Sequence, residues 1–154
     1  KFFRLLKFVT MLADSTNIGT GTITTKNDPR ILPVGSILRK TKLNELPQFA
    51  NVFLGDMSMI GPRPLATGEY SLYSSQIQSI VSRVKPGLSG IGSIVFRNEE
   101  EIIQGHENAK EFYACQIAPY KGKLEEWYVS NVSVATFFIL IFLTAWVVMF
   151  PRSK

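Results

Sequence analysis

A chain of 154 residues, 45% hydrophobic and 12% aromatic, carries enough apolar material for one packed domain and is not a disordered or low-complexity polymer. Its single cysteine, Cys115, excludes an internal disulfide, and with no leader-like segment before the domain a reducing, cytosolic setting is expected. The formal net charge of +5 is uneven, with 12 Lys and Arg against 5 Asp and Glu over residues 1–97, and 5 against 7 over residues 98–154.

The basic half faces an anion: phosphate groups, anionic lipid and a merely solvated surface are all open. Its cations are scattered singly among Gly and Pro turns, without the spacing of a base-reading module, so no nucleic acid is expected. The opening KFFRLLKFVTM, apolar with Arg4 and Lys7 interleaved, predicts a strand over residues 2–12 and reads as the interior of a longer protein. The Gly- and Thr-rich run ADSTNIGTGTITTKNDPR predicts a mobile loop. Thr41 is placed to cap a helix that carries Leu43, Leu46, Phe49, Ala50 and Phe53 on one side and ends at Gly55. Pro47 bends that helix by removing the hydrogen bond to the Leu43 carbonyl.

After the turn GDMSMIGPRP, the residues Tyr70, Tyr73, Ile77, Ile80, Val81 and Val84 form one helical face, stopped by Lys85-Pro86-Gly87. At that spacing Tyr70 and Tyr73 read as core, with contact to a sugar or base as the functional alternative. GLSGIGSIVF predicts a glycine-rich turn feeding a short β-branched strand, and residues 98–118 predict a helix whose Glu99, Glu100 and Glu101 suit the helix dipole.

The stretch VSVATFFILIFLTAWVVMF, residues 132–150, has no charge. As a helix it would reach about 28 Å, against about 30 Å of bilayer hydrocarbon. A crossing, an interfacial helix with Ser133, Thr136 and Thr144 on one stripe, and a buried core helix are its three readings. Arg152 and Lys154 favour a cytoplasmic C-terminus, which would put the basic domain of a crossing protein outside, so a membrane-interface or domain-packed helix is expected. The fold class is α+β: a mostly helical domain with a small sheet or β-hairpin over residues 1–130, then an apolar membrane-associated helix and basic tail over residues 131–154.

Chemistry concentrates in KTKLNELPQFANVFLGDMSMIGPRP, residues 40–64. Phosphoryl transfer needs a nucleophile in line with phosphorus, a divalent cation on the phosphate oxygens and fixed positive charge for the transferring group. Glu45 is suited to a hard cation such as Mg2+, and Arg63, between Pro62 and Pro64, presents a guanidinium on a stiff turn. Lys7, Arg39 and Arg97 beside Asn98 are further candidates, each as readily a solvated surface charge when taken singly.

LNELPQFANVFLGDMSMIGPRP, with KFVTM before it and VKPGLSGIGSIVFRN after it, resembles the bacterial sugar transferase family, the monotopic phosphoglycosyl transferases, from Phe2 to Val148 and in family order. The resemblance implies a UDP-sugar donor, magnesium, a covalent phosphosugar intermediate, a polyprenyl phosphate acceptor and release of UMP. It implies work among membrane lipid on the cytoplasmic face of the bacterial inner membrane. It places Asn44 at the nucleophile position, Glu45 on magnesium, and Arg63, Lys7, Arg39 and Arg97 on phosphates.

The chain departs from the family pattern at several places. The family's nucleophile is an aspartate and this chain has Asn44; its first-strand pattern ends in arginine and this chain has Val9; its last helix carries an acid and a base where this chain has Phe137 and Ile139. The family's N-terminal re-entrant membrane helix is not expected among residues 1–154, so the chain reads as a fragment or a shortened member. Asn44 keeps a rival reading open, a catalytically silent relative that binds nucleotide sugar or lipid as a structural partner. A basic module that recognises anionic lipid is the other.

Overall fold

A computed structural model describes residues 3–19, 24–25, 27–104 and 106–150. The described part of the expected first strand is irregular and joins no sheet, because its backbone groups are met by side chains and turns. Asn51 donates from Nδ2 to the Arg4 carbonyl at 2.9 Å and accepts the Leu6 N–H on Oδ1 at 3.0 Å. The Phe8 N–H donates to the Asn44 carbonyl at 3.0 Å. Only an isolated antiparallel bridge, Met11 to Ile31, follows.

Where described, the expected mobile loop is anchored. A 3-10 turn forms at Ser15–Asn17, and the Arg30 guanidinium donates to the carbonyls of Ser15 and Ile18 at 2.6 and 2.8 Å while pairing with Asp28. Residues 20–23 and 26 of that run lie outside the described residues.

Helix α1, Pro33–Lys40, was not signalled by periodicity; Pro33 opens it where a missing N–H costs nothing. Thr41 closes α1 instead of capping the next helix, its N–H and Oγ1 both donating to the Ile37 carbonyl at 3.0 and 2.9 Å. Lys42 then reverses the chain in a left-handed conformation before a 3-10 turn at Leu43–Glu45. Pro47 splits the expected continuous helix, leaving α2 as Gln48–Phe53, which ends at Gly55 with φ +80.

Two short strands, β1 (Ser58–Ile60) and β2 (Gly87–Ser89), pair in parallel with Ser58 opposite Gly87 and Ile60 opposite Ser89. Between them the single expected helical face divides into α3 (Thr67–Tyr70) and α4 (Ser75–Val81). The Gln78 side chain stitches the break, donating to the carbonyls of Tyr70 and Tyr73 at 3.2 and 2.8 Å.

The β-branched run after Gly90 is helix α5 (Ile91–Val95), not the expected strand. Its Gly92 lies so close to Glu125 that a Cβ there would sit 2.5 Å from Oε1, and this packing overrides strand propensity. The helix expected over 98–118 breaks after α6 (Glu99–Ile103) and resumes as α7 (Ala109–Phe112). A π turn at Tyr113–Ile117 carries it on into α8 (Ala118–Ser130). Tyr73, Ile103, Tyr113, Ile117 and Ala118 form one core, each large apolar side chain contributing about 1.5–3 kcal/mol on burial.

Helix α9, Val134–Met149, completes a second core in which Leu140 meets Ile60 and Tyr128, and the Tyr128 hydroxyl donates to the Ile60 carbonyl at 3.2 Å. No described helix is long and apolar enough to cross a membrane. The polar residues expected on one stripe divide between the exposed start of α9 and its packed face. Ser133 caps the helix by accepting the Thr136 N–H at 3.1 Å, and Thr144 turns inward to meet Ser89 at 2.9 Å. The outward face carries Phe138, Phe142, Trp146 and Met149 instead. The architecture is α+β, mostly helical around one small parallel sheet.

Candidate active site

All six residues singled out in the sequence, Lys7, Arg39, Asn44, Glu45, Arg63 and Arg97, border one broad, open cleft that extends over much of the molecule, and within it Lys7, Glu45 and Arg63 are directly coupled. The first segment brings Lys7 there, because the bond from the Phe8 N–H to the Asn44 carbonyl ties it alongside the 3-10 turn. Asn44 is buried, and its Oδ1 has no hydrogen-bond partner among the described residues. An orphaned buried acceptor is costly, typically about 1–3 kcal/mol, and marks a place where structure is subordinate to something else.

Glu45 accepts a hydrogen bond from the Arg63 guanidinium at 3.0 Å. Burial alone would raise the Glu45 carboxyl, but Arg63, Lys42 and Lys7 more than offset it and hold it below its usual range. Arg63 is likewise kept charged, its desolvation outweighed by Glu45. Lys7 is exposed, yet the protein around it and then Arg63 lower its ammonium, with Glu45 pulling the other way. Arg39 is engaged elsewhere, its guanidinium 2.5 Å from Glu100, while Arg97 contributes to the cleft wall.

Several cleft residues escaped the sequence reading: Lys42, Glu69, Tyr113, Lys121 and Glu125. Buried Lys121 bonds Glu99, and its ammonium lies 5.4 and 5.7 Å from the ring centres of Tyr113 and Phe96. Burial raises the Glu69 carboxyl against the pull of Lys121 and Arg63. Glu125 is 2% exposed and its Oε2 lacks a described partner; burial pushes its carboxyl up to about 7 despite the backbone N–H groups of Arg63 and Gly92. The stretch KGKLEEWY that holds Lys121 and Glu125 has the look of a solvated helix, and no apolar stripe marks its inner face.

Among the described residues no cluster of three His, Cys, Asp or Glu could hold a metal by itself. Magnesium commonly takes one or two carboxylates and completes its octahedron with water and substrate phosphates. Glu45, ionised in the cleft, fits as one such carboxylate, and the buried Asn44 oxygen in the same turn is left without a protein partner.

The profile of the bacterial sugar transferase family matches residues 1–151. Over 124 residues, 80% of this chain and 22% of the relative, it is 36% identical to the undecaprenyl-phosphate galactose phosphotransferase of Salmonella typhimurium. It is 35% identical over 129 residues to the exopolysaccharide production protein ExoY of Sinorhizobium fredii, covering 84% of this chain and 50% of the relative. To the UDP-glucose:undecaprenyl-phosphate glucose-1-phosphate transferase of Escherichia coli it is 44% identical over 91 residues, 57% of this chain and 20% of the relative. The chain thus spans half or less of the length of these curated relatives. Taken with the cleft, these matches lead to one conclusion: the chain belongs to the bacterial sugar transferase family.

Proposed function

We propose that this cleft is built for phosphoglycosyl transfer, moving a sugar phosphate from a UDP-sugar to polyprenyl phosphate at the cytoplasmic face of a bacterial inner membrane. The observation that carries this reading is the Glu45–Arg63 pair at 3.0 Å, set in the field of Lys7 and Lys42 on the turn that also holds the orphaned oxygen of Asn44. A carboxylate ringed by cations is suited to a diphosphate with its magnesium. Two of the relatives named above carry undecaprenyl phosphate in their names, and one of those also carries UDP-glucose, which supports the same substrate classes.

With an aspartate at position 44, where this chain has Asn44, an anionic carboxylate oxygen would attack the β-phosphorus of the UDP-sugar. A bond forms from that oxygen to the sugar phosphate, the bond to the bridging oxygen breaks, and UMP leaves. The acceptor phosphate then attacks the same phosphorus, giving polyprenyl diphosphate sugar and freeing the oxygen at position 44. Arg63 and Lys7 orient and neutralise the diphosphate, and Arg39 and Arg97 add charge along the cleft. Glu45 would hold magnesium, which supplies charge neutralisation on the phosphate oxygens when bound.

The carboxamide of Asn44 has no anionic oxygen, so the chain as written is slow. That residue also favours a second reading, binding of nucleotide sugar without turnover. UMP release from UDP-glucose or UDP-galactose in the presence of undecaprenyl phosphate separates the two. Release that needs the acceptor supports transfer, and binding without release supports a silent relative.

A further inference from the structure

Lys42 adopts φ 59 and ψ 11, a left-handed conformation, between the end of α1 and the turn that carries Asn44 and Glu45. Its N–H donates to the Arg39 carbonyl and its carbonyl accepts the Glu45 N–H, both at 3.2 Å, so the reversal at Lys42 sets where the turn begins. Glycine is the residue that fills such a position without strain, and a long L side chain there is disfavoured. The other described non-glycine residue with positive φ is Asn27, a type that tolerates it.

A disfavoured residue that persists needs something to offset it, and the surroundings of Lys42 supply a reason. Its side chain lines the same cleft as Lys7, Glu45 and Arg63. Its side chain is exposed, and its ammonium sits in the field of Glu45, Arg63, Glu100 and Arg39. Arg39 is committed to Glu100, so the charge around Glu45 comes from Arg63, Lys42 and Lys7.

We propose that Lys42 is a substrate-binding residue, a cation held in a left-handed turn at the mouth of the Asn44–Glu45 segment to contact the diphosphate of the nucleotide. The assignment rests on the proposed function and adds to it a residue chosen for charge at the expense of local backbone stability.

Two variants in the full protein test it, Lys42→Gly and Lys42→Arg, with UDP plus magnesium and, separately, farnesyl phosphate as calorimetric probes. Lys42→Gly is expected to weaken UDP roughly tenfold, the ordinary scale for losing one charge-assisted contact, while its melting temperature holds or rises by a few degrees as strain is relieved. Lys42→Arg, strained but charged, is expected to keep UDP affinity within about twofold of the parent. Equal UDP affinity in the parent and Lys42→Gly overturns the assignment while leaving the proposed function intact. A loss confined to farnesyl phosphate, or a loss accompanied by a lower melting temperature and not restored by arginine, overturns it as well. Failure of the parent itself to bind UDP overturns the proposed function, and this assignment with it.

Discussion

Oε1 of Glu45 accepts a hydrogen bond from the Arg63 guanidinium at 3.0 Å, joining the 3-10 turn to the stiff turn after β1. Each side chain prepares the other for a ligand: the carboxylate keeps the guanidinium in place, and the cation keeps the carboxylate ionised. Arg63→Ala is expected to weaken UDP by about 1.5–3 kcal/mol, roughly ten- to a hundredfold. Glu45→Gln keeps the shape and removes the charge, so magnesium should no longer strengthen UDP binding. Calorimetry with and without magnesium checks both, and an unchanged magnesium dependence in Glu45→Gln would take this residue off the metal.

A pH dependence follows from Glu125. Its carboxyl titrates near 7 in the folded protein against an ordinary value of 4.5, so the folded state holds the extra proton between those values. Stability is therefore greatest at the acidic end of this window and falls as pH rises from 4.5 to about 7, by up to about 3 kcal/mol, then levels off. Glu69, also raised, works in the same sense, and Glu45, lowered, works in the opposite one. Glu125→Gln should flatten the slope measured by urea unfolding between pH 5 and 7.5; an undiminished slope would assign it to other groups.

How far the sequence could be read depended on whether a local signal existed. Asn44, Glu45 and Arg63 stood out because a proline-framed arginine and an acid beside an amide are unusual residues in a resembling order, and all three line the cleft. The parallel pairing of β1 and β2 was not legible, since each strand has three residues and GDMSMIGPRP reads as a turn. α5 misled for a tertiary reason, the close seating of Gly92 on Glu125. Lys121 and Glu125 were invisible because Lys121 meets Glu99, and Glu125 the backbone of Arg63 and Gly92, only once the fold brings them near, with one oxygen of Glu125 still lacking a described partner.

The outward face of α9 makes its own prediction. Phe138 and Phe142 are 62% and 64% exposed, whereas Leu140 and Thr144 hold the helix to the sheet side. Phe138→Glu with Phe142→Glu should leave the fold intact and release the protein from lipid vesicles, because a charge in the interface opposes the burial that these rings favour. Co-sedimentation of the doubly substituted protein at high salt, undiminished from the parent, would rule this face out as the anchor.

Position 44 carries the central claim. Asparagine and aspartate are nearly the same shape, so Asn44→Asp changes chemistry with little change in packing, and the orphaned oxygen becomes part of a carboxylate in the turn whose next residue, Glu45, is held by Arg63, Lys42 and Lys7. The measurement is UMP release from a UDP-sugar with undecaprenyl phosphate, alongside intact mass of the protein after exposure to the sugar nucleotide alone. The account predicts that Asn44→Asp releases UMP faster than the chain as written, by a factor on the order of 10⁴ or more, and gains the mass of one phosphosugar. Equal rates in the two proteins, with no adduct on either, would contradict it and move the nucleophile away from position 44.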